Sequence, residues 1–462
     1  MSARTYRLPP RDRTGWFLGL EGPRVLVLGT GLLATSVLAL NASHPGVALA
    51  PAIIGVSLAF ARLGGEPLVE AIPPLVAFAA RRVVGRRSWL APDPGRVVPE
   101  GPALPPAMAG QSLVSCVVDG RRDRGPLGVV HDRRTGAWAA TLRVAGNGFC
   151  LLDAADQERL LSLWGQALSG FCRDDSPVTA LRWALRSSPV PIPEPVLVEA
   201  APPTRRDVLV TLVTDGTRRP GSAPADVLSG EVSRLAERLD AAGLVVSGPL
   251  AAGELAAALR VRLDPTVEAQ LLTRAATLGE RAGVVSPGNA GPLATHEELG
   301  AVRIDGSWHR VFVVTEWPRA EVPPGWLAGL LPVEGVTWTL SVWCEPVPPR
   351  ASRRAIERQA AKLTSDEEQR LRAGFRVGAE HGRLHQALSE REQELASGHG
   401  EIDYVGLVAV TAADASTLDR DCATVVQAAA ACGIDLRVLR GRQMAALGAC
   451  LPLARGLAGR RP

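Results

Sequence analysis

Two apolar runs near the N-terminus constrain this chain more than any other sequence feature. Residues 25–40 and 47–61 contain no charged side chain, and the turn-like residues 41–46 separate them. Each run is slightly shorter than the ~17–25 residues that cross a hydrocarbon core, but weakly polar flanks and a snorkelling Arg62 extend the reach. The pattern therefore predicts a transmembrane helical hairpin, with a buried core hairpin or a re-entrant pair as the alternatives.

Positive charge brackets these runs. Residues 1–90 hold ten arginines and four acidic residues, a net charge of +6, which leaves −2 for the rest of a chain whose total is +4. The turn between the runs has no lysine or arginine, and these residues mark the cytoplasmic side of membrane segments. We therefore predict a multi-pass protein of the inner (plasma) membrane with both termini cytoplasmic. The arginines predicted to lie at the membrane interface are Arg24, Arg62, Arg81, Arg82, Arg86 and Arg87.

A third apolar stretch follows the hairpin and ends in two arginine pairs. Its composition predicts a helix that lies at the cytoplasmic interface, with its apolar side in lipid and its arginines among anionic headgroups. An ordinary surface helix with a basic end is the alternative.

The first apolar run also carries a glycine pattern similar to a dinucleotide-binding fingerprint. Gly29 and Gly31 occupy the first two positions of a Gly-x-Gly-x-x-Ala string. The fingerprint requires an acid about 20 residues later, but no acidic residue follows before Glu66. We therefore interpret both glycines as part of a membrane helix.

The remainder predicts a cytoplasmic α+β region in which one unit occurs twice. Residues 208–247 and 404–438 each show a β-rich run, a helical pattern ended by Gly243 or Gly433, and a second β-rich run. We therefore predict two ferredoxin-like α/β halves, with a long polar helix over residues 366–395 between further strands.

The predicted organisation has seven segments. They are a basic cytoplasmic arm (1–23), a transmembrane helical hairpin (24–62), an interfacial basic helix (63–90), a Pro/Gly linker (91–110), a first cytoplasmic α/β domain (111–265), a connecting segment (266–300), and a second cytoplasmic α/β domain with the long helix (301–462).

Motifs for nucleotide hydrolysis or metal binding find no support in the sequence. Lys362 is the only lysine and lies outside any Gly-Lys-Ser/Thr loop, which excludes a Walker A motif. His381 and His385 have the i, i+4 spacing of zinc ligands, but Glu380 precedes both and does not lie between them. The seven scattered cysteines are typical of reduced cytosolic thiols.

Two histidine–acid combinations resemble acid–base pairs. They are His131 with Asp132, and His309 with Asp305, and each lies at an apparent turn or strand edge with no third partner in sequence. We therefore predict no catalytic, cofactor-binding or metal-binding residue and no cofactor, while an unrecognised membrane-bound enzyme remains an alternative.

Several strings resemble an actinobacterial family of two-span membrane proteins encoded with conjugative, type IV secretion-like machinery. The strings start at Gly128, Phe149, Glu316, Arg391 and Leu451, and the resemblance covers residues 22–456. Residues 391–453 also resemble the non-motor N-terminal region of conjugation ATPases, and the hairpin resembles the small membrane subunit that partners that motor. This chain ends before any nucleotide domain.

The resemblance implies a non-enzymatic, membrane-anchored structural or docking component of a type IV secretion or conjugation-like channel. Its implied partners are inner-membrane lipids, a separate conjugation-type ATPase and other secretion subunits, with a homo-oligomer possible and no direct nucleic-acid binding. The membrane-core subunit of a type VII secretion system is the alternative, because it shares the layout of two spans and a cytoplasmic domain.

Overall fold

The computed structural model describes most of the chain in ten stretches. They are residues 5–6, 22–41, 45–63, 65–92, 101–117, 126–146, 148–190, 203–216, 223–372 and 379–457. The α-helices in these stretches are α1 (Gly22–Asn41), α2 (Pro45–Phe60), α3 (Leu68–Val83), α4 (Ala154–Ser169), α5 (Pro224–Ala241), α6 (Ala252–Leu263), α7 (Glu268–Leu278), α8 (Pro349–Arg372), α9 (Ala379–Ala396), α10 (Ala415–Ala431) and α11 (Gln443–Cys450).

The β-strands form a two-stranded sheet and one 13-stranded sheet. The strands are β1 (Arg62–Leu63), β2 (Glu66–Pro67), β3 (Ser88–Leu90), β4 (Gln111–Cys116), β5 (Leu127–Asp132), β6 (Ala137–Ala145), β7 (Val178–Pro189), β8 (Thr204–Asp215), β9 (Val245–Pro249), β10 (Ala294–Glu297), β11 (Val302–Ile304), β12 (Ser307–Glu316), β13 (Thr337–Val347), β14 (Glu401–Ala412) and β15 (Asp435–Val438).

All pairings in the large sheet are antiparallel. The strand order is β3-β10-β11-β12-β14-β13-β7-β8-β6-β5-β4, with β15 also beside β12 and β9 also beside β6. The protein therefore has the mixed α+β class that the sequence predicts, and its strands form one large antiparallel sheet.

The large sheet contains the same arrangement twice. One half has the order β9-β6-β8-β7 and the other β15-β12-β14-β13, and the halves meet where β7 pairs with β13, Trp183 opposite Val342. The predicted repeats over residues 208–247 and 404–438 correspond to β8-α5-β9 and β14-α10-β15. The ferredoxin-like description of each half stays a prediction.

Helices cover both faces of this sheet because its central strands are apolar on both sides. On β8, Val210 and Leu212 pack with Leu235 of α5, whereas Leu209 and Val213 pack with Leu259 of α6. In the second half α10 and α11 take the corresponding places. Each fully buried aliphatic side chain contributes about 1.5–3 kcal/mol, so this three-layer core is the main source of stability.

Strands from both predicted cytoplasmic domains belong to this one sheet. The predicted interfacial segment also contributes a strand, because β3 pairs with β10 through Trp89 and Thr295. In the predicted linker, Met108 is only 1% exposed and lies against Gly448 of α11; residues 93–100 lie outside the described stretches. The domain boundaries themselves stay predictions.

The prediction of one long polar helix over residues 366–395 is wrong. The chain forms two helices, α8 and α9, and Arg391 Nη1 donates a hydrogen bond to Gln359 Oε1 at 3.3 Å, so the chain reverses between them. The physical reason is an apolar seam in which Ile356 and Leu363 of α8 pack with Leu388 of α9. In a single straight helix that ran through both segments, Leu388 would be far from Ile356 and Leu363, and all three side chains would be exposed to water.

Candidate membrane interface

Helices α1 and α2 pack against each other through small residues. A Cβ atom added to Gly31 would lie 2.8 Å from the carbonyl oxygen of Pro51, and one added to Gly55 would lie 3.2 Å from that of Val27. The two helices are therefore antiparallel and in close backbone contact, as small residues allow in lipid-exposed helix pairs. Gly31 of the dinucleotide-like string thus has a packing role.

Thr30 and Ser36 of α1 satisfy their hydroxyl groups within the helix. Thr30 Oγ1 donates to the carbonyl oxygen of Leu26 at 2.9 Å, and Ser36 Oγ donates to that of Leu32 at 3.0 Å. Such back-bonding removes the need for a water partner, which is what a hydrocarbon environment demands of a polar side chain.

The outer surfaces of both helices are apolar. Leu33 is 68% exposed and Ile53 is 62% exposed, and the same holds for many of their neighbours. The other large apolar side chains that these two helices expose are Leu26, Leu32, Val37, Leu38, Leu40, Val47, Leu49, Ile54, Val56 and Phe60. A continuous surface of this kind is unfavourable in water and favourable in lipid.

The two helices differ in length. Among the described residues, only Gly22–Leu40, with 19 residues, is long and apolar enough to cross a bilayer, while Gly46–Phe60 is a shorter apolar helix. An N-terminal apolar helix consistent with a membrane location is therefore present, and the second span stays a prediction.

Helix α3 docks on the large sheet. Arg81 Nη2 donates to the carbonyl oxygen of Gly441 at 2.6 Å and lies 3.2 Å from Glu297 Oε2. Gly441 has φ +71°, and a Cβ there would lie 2.9 Å from the carbonyl oxygen of Pro74, so only glycine fits this contact. Burial raises the pKa of Glu297, although the N–H of Met444 and then Arg81 oppose that shift.

The six predicted interface arginines are in different environments. Arg62, Arg82 and Arg86 are exposed, whereas Arg24, Arg81 and Arg87 are half-buried. Arg81 is engaged with the sheet, so its side chain serves docking inside the protein and not a lipid headgroup.

The exposed side of α3 has the chemistry of an interfacial helix. Val76 is 60% exposed and Val83 is 87% exposed, and Val84, directly after the helix, is 63% exposed. The exposed Arg82 and Arg86 lie beside this apolar stripe. Apolar side chains flanked by arginines suit the boundary between acyl chains and anionic headgroups.

The N-terminal arm also contacts the sheet-bearing part of the protein. The backbone N–H of Tyr6 donates to the carbonyl oxygen of Val322 at 2.9 Å, and the N–H of Val322 donates to that of Tyr6 at 2.9 Å. Thr5 is hydrogen-bonded to Glu321 beside this bridge. Chain segments before α1 and after α2 are therefore both attached to the same folded body.

The first histidine–acid combination forms no joint site. Asp132 is fully buried and accepts hydrogen bonds from Arg455 Nη2 at 2.6 Å and Nε at 2.8 Å. Burial alone would raise the pKa of Asp132, but hydrogen bonds from Arg455 and the N–H of Arg134 hold it below its usual value. His131 points away and stacks on Trp138 with ring centroids 4.5 Å apart.

The second combination is likewise engaged in structural contacts. Asp305 Oδ2 is 2.6 Å from Arg260 Nη1, and its Oδ1 accepts the N–H of Ala294 at 2.8 Å. His309 is fully buried, with Nε2 2.8 Å from the carbonyl oxygen of Leu263. Burial lowers the pKa of His309 to about 4.

No group of three or more His, Cys, Asp or Glu side chains that could hold a metal occurs among the described residues. His385 Nε2 lies 3.6 Å from Glu367 Oε2 between α8 and α9. The side chain of His381 lies outside the described part.

Sequence reasoning missed the contacts that fix α3 to the sheet. Arg81 and Gly441 are 360 residues apart, and no periodicity or motif connects positions so distant. The one local signal is Gly441 itself, a glycine just before a short helical pattern, and it does not name a partner.

Comparison of this chain with protein-family models and with curated proteins found no match.

Proposed function

We propose that this chain is a two-span inner-membrane protein with cytoplasmic termini that serves as a non-enzymatic structural or docking component of a type IV secretion or conjugation-like channel. One observation supports the topology most directly. Tyr6 before α1 and α3 after α2 are both attached to the same sheet-bearing body.

Between two attachments on the same side of a bilayer, the chain must cross that bilayer an even number of times. If α1 crosses the bilayer, the chain must cross again before α3 to return to the side on which Tyr6 lies. Only α2 is available for the return, and its 16 residues span about 24 Å at 1.5 Å per residue. A modest local thinning of the ~30 Å core or the snorkelling of Arg62 would close that gap.

The cytoplasmic body supports the docking part of the proposal. We infer that each half of the large sheet is ferredoxin-like. If the four strands of each half are numbered 1 to 4 along the chain, their spatial order is 4-1-3-2 in both β9-β6-β8-β7 and β15-β12-β14-β13, which is the order of a ferredoxin-like sheet. Two such halves fused edge to edge form a broad, rigid platform whose histidine–acid pairs are occupied by structural contacts.

The assignment to conjugation-like machinery rests on the sequence resemblance. On that reading a separate ATPase supplies hydrolysis, and this chain holds partners at the bilayer beside it.

Cysteine labelling tests the topology. A Ser43→Cys variant should react with a membrane-impermeant maleimide applied to intact cells, whereas a Ser2→Cys variant should not. The parent protein is the control, because its seven cysteines lie outside residues 41–46. Labelling at both positions, or at neither, would remove the two-span topology.

Purification tests the functional class. The full chain should co-purify from mild detergent with a conjugation-type ATPase and show no nucleotide hydrolysis of its own. Recovery of type VII secretion subunits would assign the chain to that machinery. Hydrolysis that scales with this chain through successive columns would contradict the non-enzymatic role.

A further inference from the structure

One end of the first sheet half holds more arginine than its carboxylates neutralise. We call this group the arginine cluster. Its members are Arg143 of β6, Arg186 of β7, Arg205 and Asp207 of β8, Arg262 of α6 and Glu268 of α7.

Asp207 is shared by two arginines. Arg262 Nη2 lies 2.6 Å from its Oδ2, and Arg143 Nε lies 3.2 Å from its Oδ1. Burial alone would raise the pKa of Asp207, but Arg262, followed by Arg143 and Arg205, keeps it below its usual value. The carboxylate is therefore fully ionised at neutral pH.

Glu268, the first residue of α7, is shared by the other two. Arg186 Nη2 lies 3.0 Å from Glu268 Oε2, and Arg205 Nη1 lies 3.4 Å from Glu268 Oε1. Arg186 is almost completely buried, whereas 42% of the Arg205 side chain is exposed.

The balance of charge in the cluster is +2, because among the described residues only these two carboxylates pair with its four guanidinium groups. Two of the guanidinium groups are accessible, since Arg143 is 39% and Arg205 is 42% exposed. The cluster therefore has positive charge that faces solvent.

The excess of positive charge acts unfavourably on the buried Arg262. Its side chain is 5% exposed and its Nε has no hydrogen-bond acceptor. Burial lowers the pKa of Arg262; Asp207 opposes the shift, while the like charges of Arg186 and Arg143 add to it. A further anion next to the accessible arginines would relieve this repulsion.

We infer that the arginine cluster is a binding site for an acidic segment of a cytoplasmic partner protein, whose carboxylates pair with Arg143 and Arg205. The inference rests on the proposed docking function and adds its location and chemistry. Carboxylates are the group that the cluster already binds, each as the ion-pair partner of two arginines, and guanidinium groups form strong charge-assisted contacts with carboxylates.

A nucleic acid fits the cluster less well than an acidic peptide. A phosphate backbone requires a continuous basic stripe, but Asp207 and Glu268 interrupt this one, and residues 91–462 carry a net charge of −2.

Binding of a fluorescent oligoglutamate peptide to the full chain in non-ionic detergent tests this inference. We expect saturable binding that weakens as salt is added, and at least tenfold weaker binding by an Arg143→Gln/Arg205→Gln variant. The matched control is Arg303→Gln/Arg420→Gln, which removes the same charge from exposed positions on β11 and α10 and should bind like the parent.

Two further measurements keep the test decisive. An Arg143→Lys/Arg205→Lys variant retains the charge and should bind more tightly than the glutamine variant, and thermal unfolding of each variant reports whether it is folded. Equal binding by the parent and a folded glutamine variant would overturn the inference.

Competing occupants give other results. Tight binding of inorganic phosphate without binding of oligoglutamate would overturn the carboxylate assignment. Labelling of the Ser43→Cys variant does not depend on the arginine cluster. If that variant is labelled as expected but the parent protein binds no peptide, the inference is wrong and the proposed topology still stands.

Discussion

The pair α1/α2 and the large sheet place their side chains in opposite ways. In the pair, small residues such as Gly31 and Gly55 form the contact, while Leu33 and Ile53 point outward. In the sheet, large side chains such as Leu212 are buried and charges such as Asp132 are paired. The apolar outside of the pair suits lipid, whereas the apolar inside of the sheet suits water around it.

Loss of a buried charge partner should lower the free energy of unfolding more than any other change proposed here. Asp132→Ala leaves Arg455 without its carboxylate, and breaking a buried ion pair costs about 3–5 kcal/mol. Denaturant unfolding of the full chain in detergent, followed by near-ultraviolet circular dichroism, measures this loss. An Asp132→Leu/Arg455→Met variant should recover most of it, and a single variant as stable as the parent would contradict the pairing.

Matched truncations should separate the two regions. Leu212→Ala removes a fully buried side chain of the sheet and should lower the free energy of unfolding by about 2–5 kcal/mol. Ile53→Ala, on the outer surface of α2, should change the unfolding of the sheet by less than about 0.5 kcal/mol. Equal losses at both positions would show that Ile53 packs in a protein core and would break the comparison.

Acid should destabilise the sheet through His309. Its folded pKa of about 4 lies below the ordinary value near 6.5, so unfolding takes up a proton between these values. Stability should therefore fall by up to about 3 kcal/mol as the pH drops from 6.5 to 4, with no contribution above that window. In His309→Gln this part of the pH slope should disappear, whatever the overall stability of the variant; an unchanged slope would contradict the assignment.

We expect the smallest effect at the end of α3 that is predicted to lie at the lipid interface. In nanodiscs, amide hydrogen exchange near Arg82 and Arg86 should be slower in anionic than in neutral lipid. The free energy of local opening should be higher in anionic lipid by up to about 2 kcal/mol for the two arginines. Arg82→Gln/Arg86→Gln should remove this difference, while Arg303→Gln/Arg420→Gln should keep it. Equal exchange in both lipids for the parent protein would show that this surface faces water.

Local patterns predicted much of the fold. The β-rich runs and helical spacings identified β8-α5-β9 and β14-α10-β15, and Gly243 and Gly433 have the positive φ values of helix stops, +75° and +74°. These features depend on neighbouring residues, which is why sequence alone reveals them. The break between α8 and α9 escaped prediction because polar residues mask the seam of Ile356 and Leu388.

The candidate interface was predictable only in part. Arginine content predicted which segment lies near the bilayer, since that signal is compositional, and this placement stays a prediction. The engagement of Arg81 with Glu297 and the charge excess around Arg143 and Arg205 depend on strands brought together by the sheet, so no local pattern contains them.

The attachment of α3 has a mechanical consequence. Its last turn is bonded to Gly441, and β3 is already paired with β10 only a few residues later, so the chain has little slack between the apolar helix pair and the sheet. The Pro/Gly segment comes after both attachments and cannot act as a tether. In the proposed two-span topology, a tilt of α1 and α2 would therefore rotate the whole sheet, and a force applied to the sheet by a partner would reach the bilayer through α3.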